Sequence, residues 1–133
     1  MSKSAIYTAN TTTQAVAIGG TIALGSIIRR FGCSVNLNGN GINLKDSGYY
    51  DVDVSVTAAP AAIGTVTVTL FRNGVAVPGA TASAAVSTAN NPVNLSIAAS
   101  VRENCCGDDS TLTLVLTGTA SSVTNVGMVV EKI

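Results

Sequence analysis

The sequence predicts an all-β chain, a jelly-roll β-sandwich of about eight to ten antiparallel strands folded as a single domain. Three observations predict it. Apolar and polar residues alternate with period two along much of the chain. Thr and Val supply most of that alternation, and β-branched side chains pack well on a pleated surface but lose rotamer freedom in a helix. Gly, Asn and Pro punctuate the alternating runs, and no segment carries a 3.6-residue apolar period.

Residues 1–13 are rich in Ser, Thr and Asn and read as a polar N-terminal arm, a tether or an exchanged strand, ahead of a domain spanning 14–133. Short strands are expected at 14–18, 21–24, 27–31, 34–37 and 42–44. Between them stand Gly19-Gly20, Gly25-Ser26, Gly32 and Asn38-Gly39-Asn40-Gly41; Asn-Gly pairs accept positive φ and favour tight hairpins. Tyr50, Val52, Val54 and Val56 then face one way, with Asp51, Asp53, Ser55 and Thr57 facing the other. Val66, Val68 and Leu70 alternate with Thr65, Thr67 and Thr69, and Arg72-Asn73-Gly74 predicts another tight turn. Pro78-Gly79 is a further break, and Pro60 and Pro92 mark loop or strand-start positions. The Ala-rich stretch 80–89 reads as strand and loop. Val93, Leu95 and Ile97 alternate with Asn94 and Ser96. Leu112, Leu114 and Leu116 alternate with Thr111, Thr113 and Thr117, with Val115 interrupting the polar row. Val126, Met128 and Val130 close the chain opposite Val129, Glu131 and Ile133.

The chain of 133 residues suits one domain of average size. Charged residues make up 11%, with Lys+Arg and Asp+Glu equal at 7 each, where roughly a quarter is usual. Hydrophobic residues reach 47% and aromatic ones only 4%, with neither Trp nor His. Such a chain is too apolar to be disordered and has no basic excess to drive nucleic-acid binding. Without His it runs no Ser-His-Asp or Cys-His mechanism and holds no His-ligated zinc. No Gly-x-Ser-x-Gly elbow or phosphate loop occurs either, so no enzyme is expected. The mean hydropathy of +0.45 is high for a soluble monomer. No apolar run approaches the ~18 residues of a spanning helix, so no membrane insertion is expected. Contacts between subunits are expected to cover the excess apolar surface. Met1-Ser2-Lys3-Ser4 lacks a continuous apolar run, so the expectation is no standard signal peptide and assembly from the cytoplasm.

One block carries a family resemblance. Asp46-Ser47-Gly48-Tyr49-Tyr50-Asp51-Val52 resembles the Gly-x-Tyr strand of the C1q and tumour-necrosis-factor-like jelly rolls. Val68-Thr69-Leu70-Phe71-Arg72-Asn73-Gly74-Val75 resembles that superfamily's next strand and its Asn-Gly hairpin. Gly107-Asp108 is similar to its Gly-Asp turn, and Asn125-Val126-Gly127-Met128-Val129-Val130 sits where such domains end on a core strand. Together these span roughly residues 30–133. The arrangement is most similar to the small, Val/Thr/Ala-rich bacterial and bacteriophage branch, whose members tip collagen-like surface filaments or serve as phage head-fibre and decoration-type proteins. The aromatic residues typical of the last two strands in the animal members are missing, and there is no collagen-like stalk. The resemblance implies a compact homotrimer packed edge to face around a threefold axis. It implies a place on a virion or bacterial cell surface, a structural role in decoration or attachment, and a capsid or other surface protein as partner.

Candidate residues follow. Tyr49 and Tyr50 lie on opposite faces of one strand, so one ring can fill the core while the other reaches an interface. With Phe71 and Met128 they are the candidate trimer-interface residues. Arg29-Arg30 is the only basic pair. In a strand one of them must face inward or across an interface, where Glu131, Asp46 or a small anionic metabolite would meet it. Arg29 and Arg30 are therefore the candidate ligand-binding residues. A surface glycan is the other ligand class, disfavoured by the shortage of aromatic platforms. Asp51 and Asp53 share one strand face, a spacing open to acid–base work or Ca²⁺, although a solvated face that discourages edge pairing is the simpler reading. Cys33, Cys105 and Cys106 offer no Cys-x-x-Cys pair and no His to complete a site, so no metal or cofactor is expected. A bridge from Cys33 to one of the others stays open, with buried free thiols favoured. The loops at 38–41, 73–78 and 104–109 are the expected presenting loops.

Overall fold

The computed structural model describes residues 4–103 and 110–132. Its strands are β1 (Ala5–Asn10), β2 (Gln14–Val16), β3 (Ser26–Phe31), β4 (Val35–Asn38), β5 (Gly41–Leu44), β6 (Gly48–Pro60), β7 (Gly64–Arg72), β8 (Val75–Val86), β9 (Val93–Glu103), β10 (Ser110–Thr117) and β11 (Ser121–Lys132). Among the described residues there is no helix. The strands form two antiparallel sheets. One is six-stranded, in the order β3-β1-β11-β6-β9 with β2 paired to β11. The other is five-stranded, in the order β4-β5-β10-β7-β8.

The period-two alternation decides which side chains face between the sheets. Val52, Val54, Val56 and Ala58 of β6 and Val126, Met128 and Val130 of β11 line the inner side of the larger sheet. Val66, Val68 and Leu70 of β7 and Leu112, Leu114 and Leu116 of β10 line the inner side of the smaller one. All belong to a single core. Each fully buried aliphatic side chain contributes roughly 1.5–3 kcal/mol of transfer free energy, which lets a core nearly without aromatic rings hold the sandwich together.

Turn chemistry fixes the hairpin registers. Asn73 and Gly74 take φ of +52° and +81°, the paired left-handed conformation that a two-residue hairpin requires, and Arg72 pairs with Val75 across it. Gly118 is needed for a second reason: at φ +87°, an added Cβ would stand 2.3 Å from the Thr65 carbonyl oxygen.

The structure corrects the sequence reading in the first third. Residues 5–10 are not an arm ahead of the domain but strand β1, inside the larger sheet between β3 and β11. Ile6 and Thr8 are buried while Tyr7 looks outward; this short alternation is masked by the flanking Ser, Thr and Asn. The stretch expected as a strand at 21–24 instead borders β10, with Ile22 N–H bonded to Leu114 O at 2.8 Å and Leu116 N–H to Gly20 O at 3.0 Å. Pro78-Gly79 does not end a strand either. It lies within β8, where the pairing with β7 slips between Thr69 and Phe71.

Candidate functional site on the outer face of the larger sheet

The outward face of the six-stranded sheet can be read row by row from its registers. One row runs Arg29, Tyr7, Val129, Asp53, Ala98 across β3, β1, β11, β6 and β9. The next runs Phe31, Ala5, Glu131, Asp51, Ser100. The β3–β1 half is therefore apolar and aromatic, with Phe31 59% and Tyr7 39% exposed. Ala5, Ile6, Tyr7, Arg29, Phe31 and Val129 line a shallow hollow there. Ile27 and Ile28 are exposed on the same edge strand. Towards β6 the face turns acidic. Glu131 and Asp51 stand directly opposite each other and Asp53 lies two residues along the strand, and like charges placed opposite each other destabilise a sheet. Among the described residues none of these carboxylates has an ion-pair partner; the only ion pair is Arg72 with Glu103, at 3.3 Å.

That pair closes one end of the sandwich. Arg72 follows Leu70 on the inward row of β7, and Glu103 follows Val101 on the inward row of β9, where only 4% of it is exposed. The Glu103 carboxylate accepts the Ser110 backbone N–H at 2.7 Å and the Ser110 hydroxyl at 2.8 Å. Arg72 Nε donates to Ser110 Oγ at 3.0 Å. The sequence reading passed over this network, although charged residues on the apolar parity of two strands were a signal that could have found it. Beside it, between edge strands β8 and β9, runs a groove lined by Arg72, Val75, Val77, Pro78, Ser100 and Arg102. Val75 is 70% exposed. Arg102 is exposed and its guanidinium sits 5.9 Å from the centre of the Tyr49 ring, within cation–π range.

The structure separates the four residues expected at an interface. Tyr49 is exposed. Tyr50 and Met128 are completely buried inside the subunit, because both occupy the inward register of central strands, so neither reaches a neighbour. The Tyr50 hydroxyl donates to the Asp46 carbonyl at 2.7 Å. Its pKa is raised above the ordinary tyrosine value of 10.0, chiefly by burial, opposed by hydrogen bonds with Ser34 and the Asp46 backbone and reinforced by the Asp46 and Glu103 charges. Phe71 is half-buried on the outward face of the other sheet.

Arg29 and Arg30 do not converge on one site. Arg29 stands opposite Tyr7 on the outward face, whereas Arg30 pairs with the buried Ile6 position and gives its Nε–H to Val35 O at 2.8 Å. A backbone carbonyl thus takes the place of the expected carboxylate. Asp46 accepts the Ser34 hydroxyl instead. Cys33 is exposed rather than buried. Cys105, Cys106 and the loop at 104–109 lie outside the described residues. Asp51 and Asp53 share an exposed face, as the alternation requires.

No protein-family model matches this chain, and no curated protein sequence does. Solved structures do match it in shape. The globular domain of the zebrafish complement 1qA protein superposes with a TM-score of 0.76 at 8% identity, covering 99% of this chain and 98% of that one. Murine APRIL at pH 5.0 gives 0.73 at 10% identity, covering 99% and 100%. The PRD1 vertex protein P5 gives 0.68 at 15% identity, covering 98% and 96%. The chain has the jelly-roll fold of the TNF-like and C1q-like domains. At these identities the likeness is one of fold.

Proposed function

We propose that this chain is a non-enzymatic structural module that works as a homotrimer on a phage particle, as a head fibre or decoration protein, or on a bacterial surface filament, for attachment or display. The observation that carries the reading is the larger sheet's outward face, where Tyr7 and Phe31 remain exposed and Val129 half-buried in a single copy beside opposed carboxylates. Covering apolar surface yields about 25 cal/mol per Å² before association costs. The other supports are the fold likeness to PRD1 vertex protein P5 and a sequence without His or a nucleophile elbow. On this reading the rigid β-framework is the mechanism, and the tight turns at Gly39-Asn40 and Asn73-Gly74 are what it presents, because 75–78, expected as part of a loop, belong to strand β8. Light scattering coupled to size exclusion tests it: a mass three times that of one chain at micromolar concentration is expected, and a stable monomer refutes it.

The hollow beside Arg29 favours a second reading, a small anionic ligand with an apolar body held between subunits. Its guanidinium borders Ala5, Tyr7, Phe31 and Val129, and a ligand bound only to the folded form raises the melting temperature with concentration. Absence of any shift across anionic metabolites and nucleotides would leave the structural role alone.

A further inference from the structure

Charge is distributed unevenly along the length of the sandwich. Segments 10–25, 57–66, 86–96 and 115–127 contain no Asp, Glu, Lys or Arg. The fold brings all four to one end, where Val16 pairs with Ser121 and Ser121 with Pro60. There the Gly19 N–H donates to Leu116 O at 2.7 Å, the Ala61 N–H to Ala120 O at 2.9 Å and the Asn90 N–H to Pro60 O at 2.7 Å. Lys45, Asp46, Arg72, Glu103 and Lys132 stand at the opposite end. The charge-free end bares two large apolar side chains, Ile63 at 71% and Ile18 at 63% exposure. Beside them is a hollow of about 300 Å³ walled by small residues, among them Ala15, Ala17, Ala61 and Ala120. An apolar knob next to an apolar socket is self-complementary under a two-fold axis, because each copy's knob then meets the other's socket.

We infer that this charge-free end docks on the same end of a second copy, with Ile63 of each seated in the alanine-walled hollow of the other. Charge narrows the occupant. A nucleic acid or an acidic peptide would lose its hydration here with no opposite charge to meet it. A two-fold contact through the opposite end would bring Lys45, Asp46 and Lys132 up to the same charged patch of the second copy, whereas here no charge opposes another. The outward face of the smaller sheet is uncharged too, but its hydroxyls already bond one another, as Thr67 and Ser83 do at 3.0 Å. One sandwich end is a small surface, which puts the contact in the weak class of interfaces and makes pairing visible above the concentration at which the trimer forms. The contact does not need that trimer: monomers joined this way give a dimer, and trimers a particle of six chains.

Sedimentation equilibrium from the micromolar to the millimolar range tests the contact, with folding of each variant checked by circular dichroism. The wild-type mass should climb from three chains toward six, or from one toward two where the trimer reading fails and this contact holds. Ile63→Lys and Ala17→Glu should each weaken that step about tenfold or more, since each buries a charge without a partner. Mixed in equal amounts, the two variants should recover it. The introduced lysine then enters a socket that holds the introduced glutamate, and an unchanged Ile63 enters an unchanged socket in return. A wild-type mass that stays at three chains across the range overturns the contact and leaves the trimer standing, and one that stays at a single chain overturns both. A step that neither substitution weakens, or a mixture as weak as its components, overturns the contact as well.

Discussion

The outward faces of the two sheets grow from the same alternation and end with opposite chemistry. On the five-stranded sheet the outward positions are Thr65, Thr67 and Thr69 of β7, Thr81 and Ser83 of β8, Thr111, Thr113 and Thr117 of β10, and Asn36 and Asn43, with Phe71 and Val115 among them. None of these is charged. Their hydroxyls bond across strands, Thr67 with Ser83 at 3.0 Å and Thr81 to Thr69 at 3.4 Å. Such a face satisfies itself and the surrounding water. The six-stranded face mixes exposed aromatic rings with three carboxylates on adjoining strands. A face satisfied by water and a face that leaves rings and like charges side by side are thus built on one core by changing only the outward residues.

The largest expected effect removes what the two faces share. Leu114 is fully buried beneath the smaller sheet and packs in the single core. Leu114→Ala should cost about 2–5 kcal/mol through lost burial and the cavity left behind, read as a fall in the urea midpoint. A cost under about 1 kcal/mol would show that the core collapses around the gap. The next effect separates the faces. Tyr7→Glu adds a fourth carboxylate to the acidic face and removes an aromatic anchor, for a loss of about 2 kcal/mol or more per contact. Thr67→Glu places the same charge on the hydroxyl face and should leave the mass in light scattering unchanged. Equal responses from the two variants would erase the distinction between the faces.

How much of this was legible depends on which link of the chain is asked. Long strands with clean alternation, β6, β7 and β10, were readable because one face of each is buried and a one-residue slip would expose it. Strand β1 was not: only Ile6 and Thr8 point inward, and a Thr at a core position is indistinguishable in sequence from a surface one. Tyr50 and Met128 belong inside rather than at an interface, because they share the apolar parity of Val52 on β6 and of Val126 and Val130 on β11. The acidic strip spans β11 and β6, residues far apart in sequence, so only the register reveals it. Arg72 and Glu103 do carry a sequence signal, since each stands on the apolar parity of its strand, but that the two meet across the sandwich is visible only in the fold.

A smaller effect compares the two rings on either side of β6. Tyr50→Phe removes a hydroxyl bonded to the Asp46 carbonyl and should cost about 1 kcal/mol, whereas Tyr49→Phe, on an exposed ring, should change folding stability by under about 0.5 kcal/mol. The pH dependence has a definite sign. Because the folded-state pKa of Tyr50 is raised, the unfolded chain loses that proton first. The stability tied to it is complete below the unfolded value of 10.0 and is lost as pH rises through the folded value. Urea unfolding between pH 9 and 11 should therefore show a decline that Tyr50→Phe flattens and Tyr49→Phe retains. An identical slope in all three proteins would assign the alkaline loss to other groups.

The smallest expected effect bears on the hydroxyl face. Thr67→Ala and Ser83→Ala each remove one partner of an exposed hydroxyl pair. The partner left behind remains open to water, so no buried donor or acceptor is orphaned and the penalty that makes such deletions expensive does not arise. Each change should fall within about 0.5 kcal/mol in urea unfolding, and the pair together should leave the assembled mass as it was. A loss of 2 kcal/mol or more would mean that the hydroxyl ladder stiffens the sheet beyond its pairwise bonds. A change in mass would mean that this face, too, is met by another surface, and its freedom from charge would then reflect a contact that excludes water instead of one that welcomes it.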